Sequence, residues 1–204
     1  MFQTILHFLN PEYIIGLFGV LGVWLAIFME SGILLGIVLP GDSLLFTAGL
    51  LASQGLLQIW PLVIGSIAAA IIGDSVGYSI GKKAGKVLFE RKETFYFRKE
   101  YVDRAHVFFE KYGARAVLLA RFVPIVRTLI PPLAGISSMP YKTFIRWNVL
   151  GGIIWTAGVS LIGYTLGSTI PGIDHYITPI ILVIILVSFI PAIISFYPKK
   201  ENRR

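Results

Sequence analysis

The chain has 204 residues, 55% of them hydrophobic and 14% charged, and its mean hydropathy is +0.77. A soluble domain cannot hide that much apolar surface in its own core, so the composition specifies an integral membrane protein with room for about four spans of ~20 residues and no second soluble domain. No cysteine is present, which excludes disulfides and thiolate metal sites, and the three histidines (His7, His106, His175) are too scattered to share a metal, so neither a metal nor a cofactor is expected.

The formal net charge is +7, but its placement argues against a nucleic-acid partner. Met1 to Gly81 holds no Lys or Arg. The basic residues fall between Lys82 and Arg115, at Arg121 and Arg127, at Lys142 and Arg146, and in Lys199 to Arg204. The positive-inside rule is met when all these places are cytoplasmic, so the charge reports topology.

Met1 to Asn10 is too short to span and lacks the cationic start and cleavage site of a signal peptide. It reads as an amphipathic helix on the cytoplasmic surface, ended by Pro11, so that residues 1–12 form an N-terminal surface segment. Tyr13 to Met29 is uncharged and long enough to be the first span, which Glu30 is expected to end. Ser31 to Ser53 has Pro40, Gly41 and Asp42 at its middle, and each apolar arm is too short to cross. This predicts a re-entrant hairpin with Glu30 at its mouth and Asp42 at its tip; the alternative is that both acids mark aqueous loop ends.

Trp60 to Ile80 is the second full span. Gly73, Gly77 and Gly81 make a stripe along which another helix can approach closely, and Asp74 lies beside it, where a carboxylate in a span is a candidate functional group. Residues 82–113 are strongly polar with interspersed aromatics and read as a cytoplasmic amphipathic linker. Thr143 to Leu166 spans, Ser168 to His175 is an outer loop, Tyr176 to Tyr197 spans back, and residues 198–204 form a basic cytoplasmic tail.

Between the linker and the third span lies Ala116 to Met139, apolar yet carrying Arg121 and Arg127 and expected to be broken by Pro124, Pro131 and Pro132. An arginine deep in lipid costs at least ~2.5 kcal/mol, and prolines free backbone groups that lipid cannot bond. The segment therefore reads as a second re-entrant hairpin lining a wet, protein-walled cavity, with the two arginines forming an anion site. The alternative is a helix whose arginines snorkel to the cytoplasmic surface. On ideal helix geometry Arg121 and Arg127 point about 120° apart, so a break at Pro124 must re-aim one of them if they share a ligand.

The motif Gly77-Tyr78-Ser79-Ile80-Gly81 recurs as Gly163-Tyr164-Thr165-Leu166-Gly167, each copy closing a span that follows a Pro-containing hairpin. The basic clusters make the first of these spans run inward and the second outward. The expected fold is thus an all-α integral membrane protein with about four transmembrane helices and two re-entrant hairpins in an inverted repeat.

Several stretches carry a family resemblance: P-G-D-S at Pro40 to Ser43, G-D-S-V-G-Y-S-I-G-K-K-A-G at Gly73 to Gly85, F-E-K-Y-G-A-R-A-V-L-L-A-R-F-V-P-I-V-R-T at Phe109 to Thr128, Y-K-T-F-I-R-W-N at Tyr141 to Asn148 and the following G-G-I-I-W. Over roughly Val23 to Gly167 the chain resembles the DedA family, the bacterial branch of the SNARE-associated Golgi protein-like (VTT domain) membrane proteins. The resemblance implies two opposed hairpins meeting in a bacterial inner membrane. It also implies movement of a lipid phosphate between leaflets, either a polyprenyl phosphate such as undecaprenyl phosphate or a phospholipid, dependent on the proton gradient. It further implies functional roles for Glu30, Asp42, Arg121 and Arg127, and says less about Asp74.

The residues and the resemblance together give one expectation. Arg121 and Arg127 hold a phosphate through charge-assisted bonds, and Glu30 and Asp42 neutralise them until protons intervene. The alternatives are a proton-coupled transporter of a small ion or solute, and a membrane organiser in which the charges serve assembly. The glycine stripes could also pack between chains of a homo-oligomer. Catalysis is not expected: no nucleophile, base and orienter constellation is visible, nor the second Arg-and-His motif of lipid phosphatases.

Overall fold

A computed structural model describes residues 11–32, 41–90 and 107–170. The surface helix expected before Pro11, the first arm of the first hairpin, most of the linker, the fourth span and the basic tail lie outside the described residues. All the elements described are helical: α1 (Pro11–Gly32), α2 (Gly41–Ser53), α3 (Ile59–Glu90), a 3₁₀ turn at Gly113–Arg115, α4 (Ala116–Ala120), α5 (Pro124–Ile136) and α6 (Tyr141–Thr169).

Two helical stretches, Ile59–Ala84 in α3 and all of α6, are long and apolar enough to cross a membrane. Their outward residues fit that setting. Trp60, Ile64 and Ile72 on α3 and Ile153, Ile154 and Ile162 on α6 are exposed, a surface that suits hydrocarbon rather than water.

Pro11 begins α1, as its missing N–H permits at a helix start, and the surface helix expected before it lies outside the described residues. Three expectations need correction. Glu30 does not end the first span: α1 continues to Gly32, interrupted only at Gly19 (φ 58°, ψ −142°), and Glu30 lies buried within it. The second helix outruns the span end expected at Ile80: its span-capable stretch reaches Ala84 and α3 itself Glu90, so the first residues assigned to the linker continue that helix. Pro131 and Pro132 sit inside α5 without breaking it.

The break comes instead between α4 and α5. Arg121, Phe122 and Val123 bond to carbonyls three residues back, and Val123 then becomes extended (φ −120°, ψ 106°), as a residue before proline prefers. Pro124 opens the new helix.

The internal repeat is written in the packing. The short helix of each half lies along the long helix of the other, α2 on α6 and α5 on α3. Backbone approaches backbone at glycines in both pairs: a Cβ at Gly163 would collide with the Phe46 carbonyl, one at Gly49 with the Ser160 carbonyl, one at Gly81 with the Pro132 carbonyl and one at Gly135 with the Tyr78 carbonyl. Gly49 and Gly135 stand as far apart in sequence as Gly77 and Gly163. The sequence motif thus marks the helix contact in each half, although the tightest backbone approach is at Gly81 in the first copy and at Gly163, the counterpart of Gly77, in the second.

Both short helices also end alike. Leu56 N–H donates to Leu51 O and Gly55 N–H to Ala52 O; Met139 N–H donates to Ala134 O and Ser138 N–H to Gly135 O. Each is a Schellman cap with its left-handed residue, Gly55 (φ 78°) or Ser138 (φ 58°), in the expected place. The Tyr78 hydroxyl donates to Met139 O at 2.5 Å, tying the second cap to α3.

Candidate functional site

All five charged residues singled out from sequence meet in the middle of this bundle. Each comes from a different piece of chain: Glu30 from the end of α1, Asp42 from the first turn of α2, Asp74 from α3, Arg121 from the turn after α4, and Arg127 from α5. Asp42 gains from its place, since a helix N-terminus favours a carboxylate. Glu30, Asp74 and Arg121 are almost fully buried at 2%, 5% and 5% exposure.

The charges sort into two groups. Arg127 reaches Asp42 with Nη1 at 2.8 Å and Glu30 with Nη2, so one guanidinium is held between two carboxylates. Trp155 of α6 completes this group. Its ring lies under the Arg127 guanidinium at 4.6 Å, and its Nε1–H donates to the same Asp42 oxygen at 2.9 Å.

In the second group Arg121 Nη2 donates to Asp74 and, at 2.5 Å, to Asn148 Oδ1. Asn148 Nδ2 donates in turn to Ile71 O at 3.1 Å. Arg121 lies against Gly151 and Gly152, where side chains on α6 would occupy its space. Buried charges persist only when paired, and each group pairs its guanidinium internally, although Glu30 Oε2 and Arg121 Nε are left without a hydrogen-bond partner.

The groups share one small polar cavity lined by Glu30, Ser31, Asp74, Arg121, Arg127, Thr128 and Trp155. The Pro124 break lets both arginines face it, as the helical-wheel argument required. Among the described residues no cluster of acids and histidines fits a metal ion.

Sequence reasoning gave Asp74 no firm partner, and the structure pairs it with Arg121. It assigned no role to Asn148 and Trp155. The available signal was a lone amide in an apolar span with an indole seven residues on, two turns along the same helical face.

The chain matches the VTT domain over residues 39–165. It is 41% identical over 188 residues to Protein DedA of Escherichia coli, covering 88% of this chain and 85% of that one. A membrane protein of Mycobacterium tuberculosis is 42% identical over 198 residues, covering 92% of this chain and 85% of the relative. The inner membrane protein YghB of Escherichia coli is 37% identical over 150 residues, with 74% and 68% covered. No solved structure matches the chain. The domain match and the extent of these similarities make the chain a membrane protein of the DedA family, with a VTT domain that contains every member of the Arg127 and Arg121 groups except Glu30.

Proposed function

We propose that the protein translocates a lipid phosphate between membrane leaflets, coupled to the proton gradient. The observation that carries this reading is the Arg127 group: a guanidinium at the centre of an apolar bundle, with two planar donor edges and two carboxylates on them. A phosphate offers the same oxygen geometry as the carboxylates and can take their place.

The fit to a membrane setting supports it. Anions and protons that must cross lipid need a polar site walled off by protein, built from broken helices whose irregular backbone lines a cavity. On this reading α4–α5 and the segment ending in α2 are the two re-entrant hairpins, opposed through the inverted repeat. The same reading puts both termini on the cytoplasmic side of a bacterial inner membrane, which the positive-inside rule applied to the basic clusters supports. Arg121 and Arg127 hold the headgroup, Glu30 and Asp42 exchange protons, and Asp74 releases or recaptures Arg121. The chain acts as a carrier rather than an enzyme.

Proteoliposomes test this directly. A fluorescent short-chain polyprenyl phosphate and a labelled phospholipid are followed across the bilayer, with and without an acid interior. Movement of at least one is expected, and Arg127→Ala should slow it by about tenfold or more, the worth of a charge-assisted bond. Wild-type rates in Arg127→Ala and Glu30→Ala would sink the reading. Movement of neither lipid by correctly inserted protein would favour a small ion or solute as cargo.

A further inference from the structure

Resting on the phosphate reading above, we infer that the site stays electroneutral through its cycle: it holds one proton at rest and takes up as many more as the bound phosphate has negative charges. Three carboxylates meet two guanidiniums here, an excess of one negative charge. Among the described residues the count includes every titratable or charged group that lines the cavity or bonds to one that does: Glu30 from α1, Asp42 from α2, Asp74 from α3, Arg121 from the turn after α4 and Arg127 from α5. The α6 helix supplies only uncharged Asn148 and Trp155.

The excess sits in the Arg127 group, because Asp74 and Arg121 neutralise one another. Glu30 Oε2 shows where a proton belongs. It is buried against Gly41 with no hydrogen-bond partner, while its sister oxygen takes an Arg127 donor. A buried, unpartnered anionic oxygen is far more costly than the same carboxyl carrying a proton.

Asp42 takes one Nη1 donor of Arg127 and Glu30 one Nη2 donor, and a phosphate bonding the same guanidinium adds its charge to a site that is already balanced, so a carboxylate must give up its charge or its place. A displaced carboxylate in this water-poor cavity must take a proton from water to remain. A monoanionic phosphate diester displaces Asp42 from Arg127 and brings one proton with it; a dianionic monoester displaces Asp74 from Arg121 as well and brings two, while Glu30 keeps the proton it held at rest. The moving complex carries no net charge and responds to a pH difference but not to membrane potential.

The first test counts protons on the full-length protein in detergent, by calorimetry in two buffers of different ionisation enthalpy. Dibutyl phosphate is one probe and monobutyl phosphate, at a pH where it is a dianion, the other. We expect uptake of one proton with the first and two with the second, and one fewer in each case for E30Q/D42N, which leaves an excess guanidinium. If that variant does not fold, the wild-type counts decide alone. Uptake of no protons, or of equal numbers for the two esters, overturns the inference while leaving phosphate binding intact. Absence of binding by either ester overturns the translocation reading and this inference with it.

The second test uses proteoliposomes, with a labelled lipid phosphate in one arm and radiolabelled inorganic phosphate in the other, so that headgroup and free anion are told apart. A pH step should drive whichever arm is active, and a potassium diffusion potential of about 100 mV should change its distribution less than about twofold, whereas one net charge would shift it about fifty-fold. A shift of that larger size overturns electroneutrality.

Discussion

Arg121 and Arg127 look like a matched pair in the sequence, but their surroundings differ in kind. Arg121 faces a single carboxylate, Asp74, and shares it with an amide, Asn148, that is itself anchored to the α3 backbone. Its charge is balanced and its position is fixed by α3 and α6 together. Arg127 faces two carboxylates from two further helices and an aromatic face, and one oxygen of its partner Glu30 has no bond at all. Each arrangement leaves one buried atom without a partner, Arg121 Nε in the first and Glu30 Oε2 in the second, but only the second has a charge to spare. A buried ion pair that closes on itself holds helices together; one left unbalanced is poised to exchange its ligands.

The sharpest way to break this contrast is to remove Arg121. Arg121→Ala leaves Asp74 buried and unpaired, which should cost about 3–5 kcal/mol and give the largest fall in thermal stability in detergent. Adding Asp74→Asn should recover most of that loss. If the double variant folds and also moves lipid, Arg121 is a clamp and Arg127 alone reads the headgroup; if it folds but is inactive, both arginines bind the ligand.

Next in size, Gly81→Val and Gly163→Val each drive a side chain into a carbonyl of the neighbouring short helix and should each cost about 1–3 kcal/mol. Comparable losses at the two sites would show that both halves depend on the same contact, while a large loss at one and none at the other would separate them. The smallest effect is expected from Trp155→Phe. It keeps an aromatic face for Arg127 but removes the N–H to Asp42, a loss of about 1 kcal/mol in thermal unfolding. The same variant should weaken the Arg127 group without touching Arg121, so a change in the stability recovered by Asp74→Asn would contradict the separation of the two groups.

Much of the site was legible before the fold. Glu30, Asp42, Asp74, Arg121 and Arg127 stand out because charge in an apolar chain has to be explained, and all five converge. The glycine motif announced the helix contacts for a related reason: a repeated small residue at helical spacing means close approach. What the sequence did not show was pairing. Nothing local to Asp74 says that its partner is Arg121 rather than Arg127, because that depends on how α3 meets the turn after α4.

The helix ends misled for a physical reason too. Glu30 was expected to end the first span because it is the first charge after an apolar run, and a charge need not end a helix once Arg127 arrives from another helix to pair with it. Pro131 and Pro132 looked like breakers, yet they pack toward the Gly77–Gly81 stripe, where the missing side chains leave room for their rings. Trp155 and Asn148 stayed hidden because each is an ordinary residue of a long apolar helix until its neighbours are known.

The exchange of short helices between the halves decides what is held to what. Neither half closes on its own: α2 without α6, or α5 without α3, would present bare glycine backbone to lipid. The closely packed units of the chain are accordingly not its first and second halves but the composite blocks α2–α6 and α3–α5. The bond between Arg127 and Asp42 is stitched across the seam between those blocks.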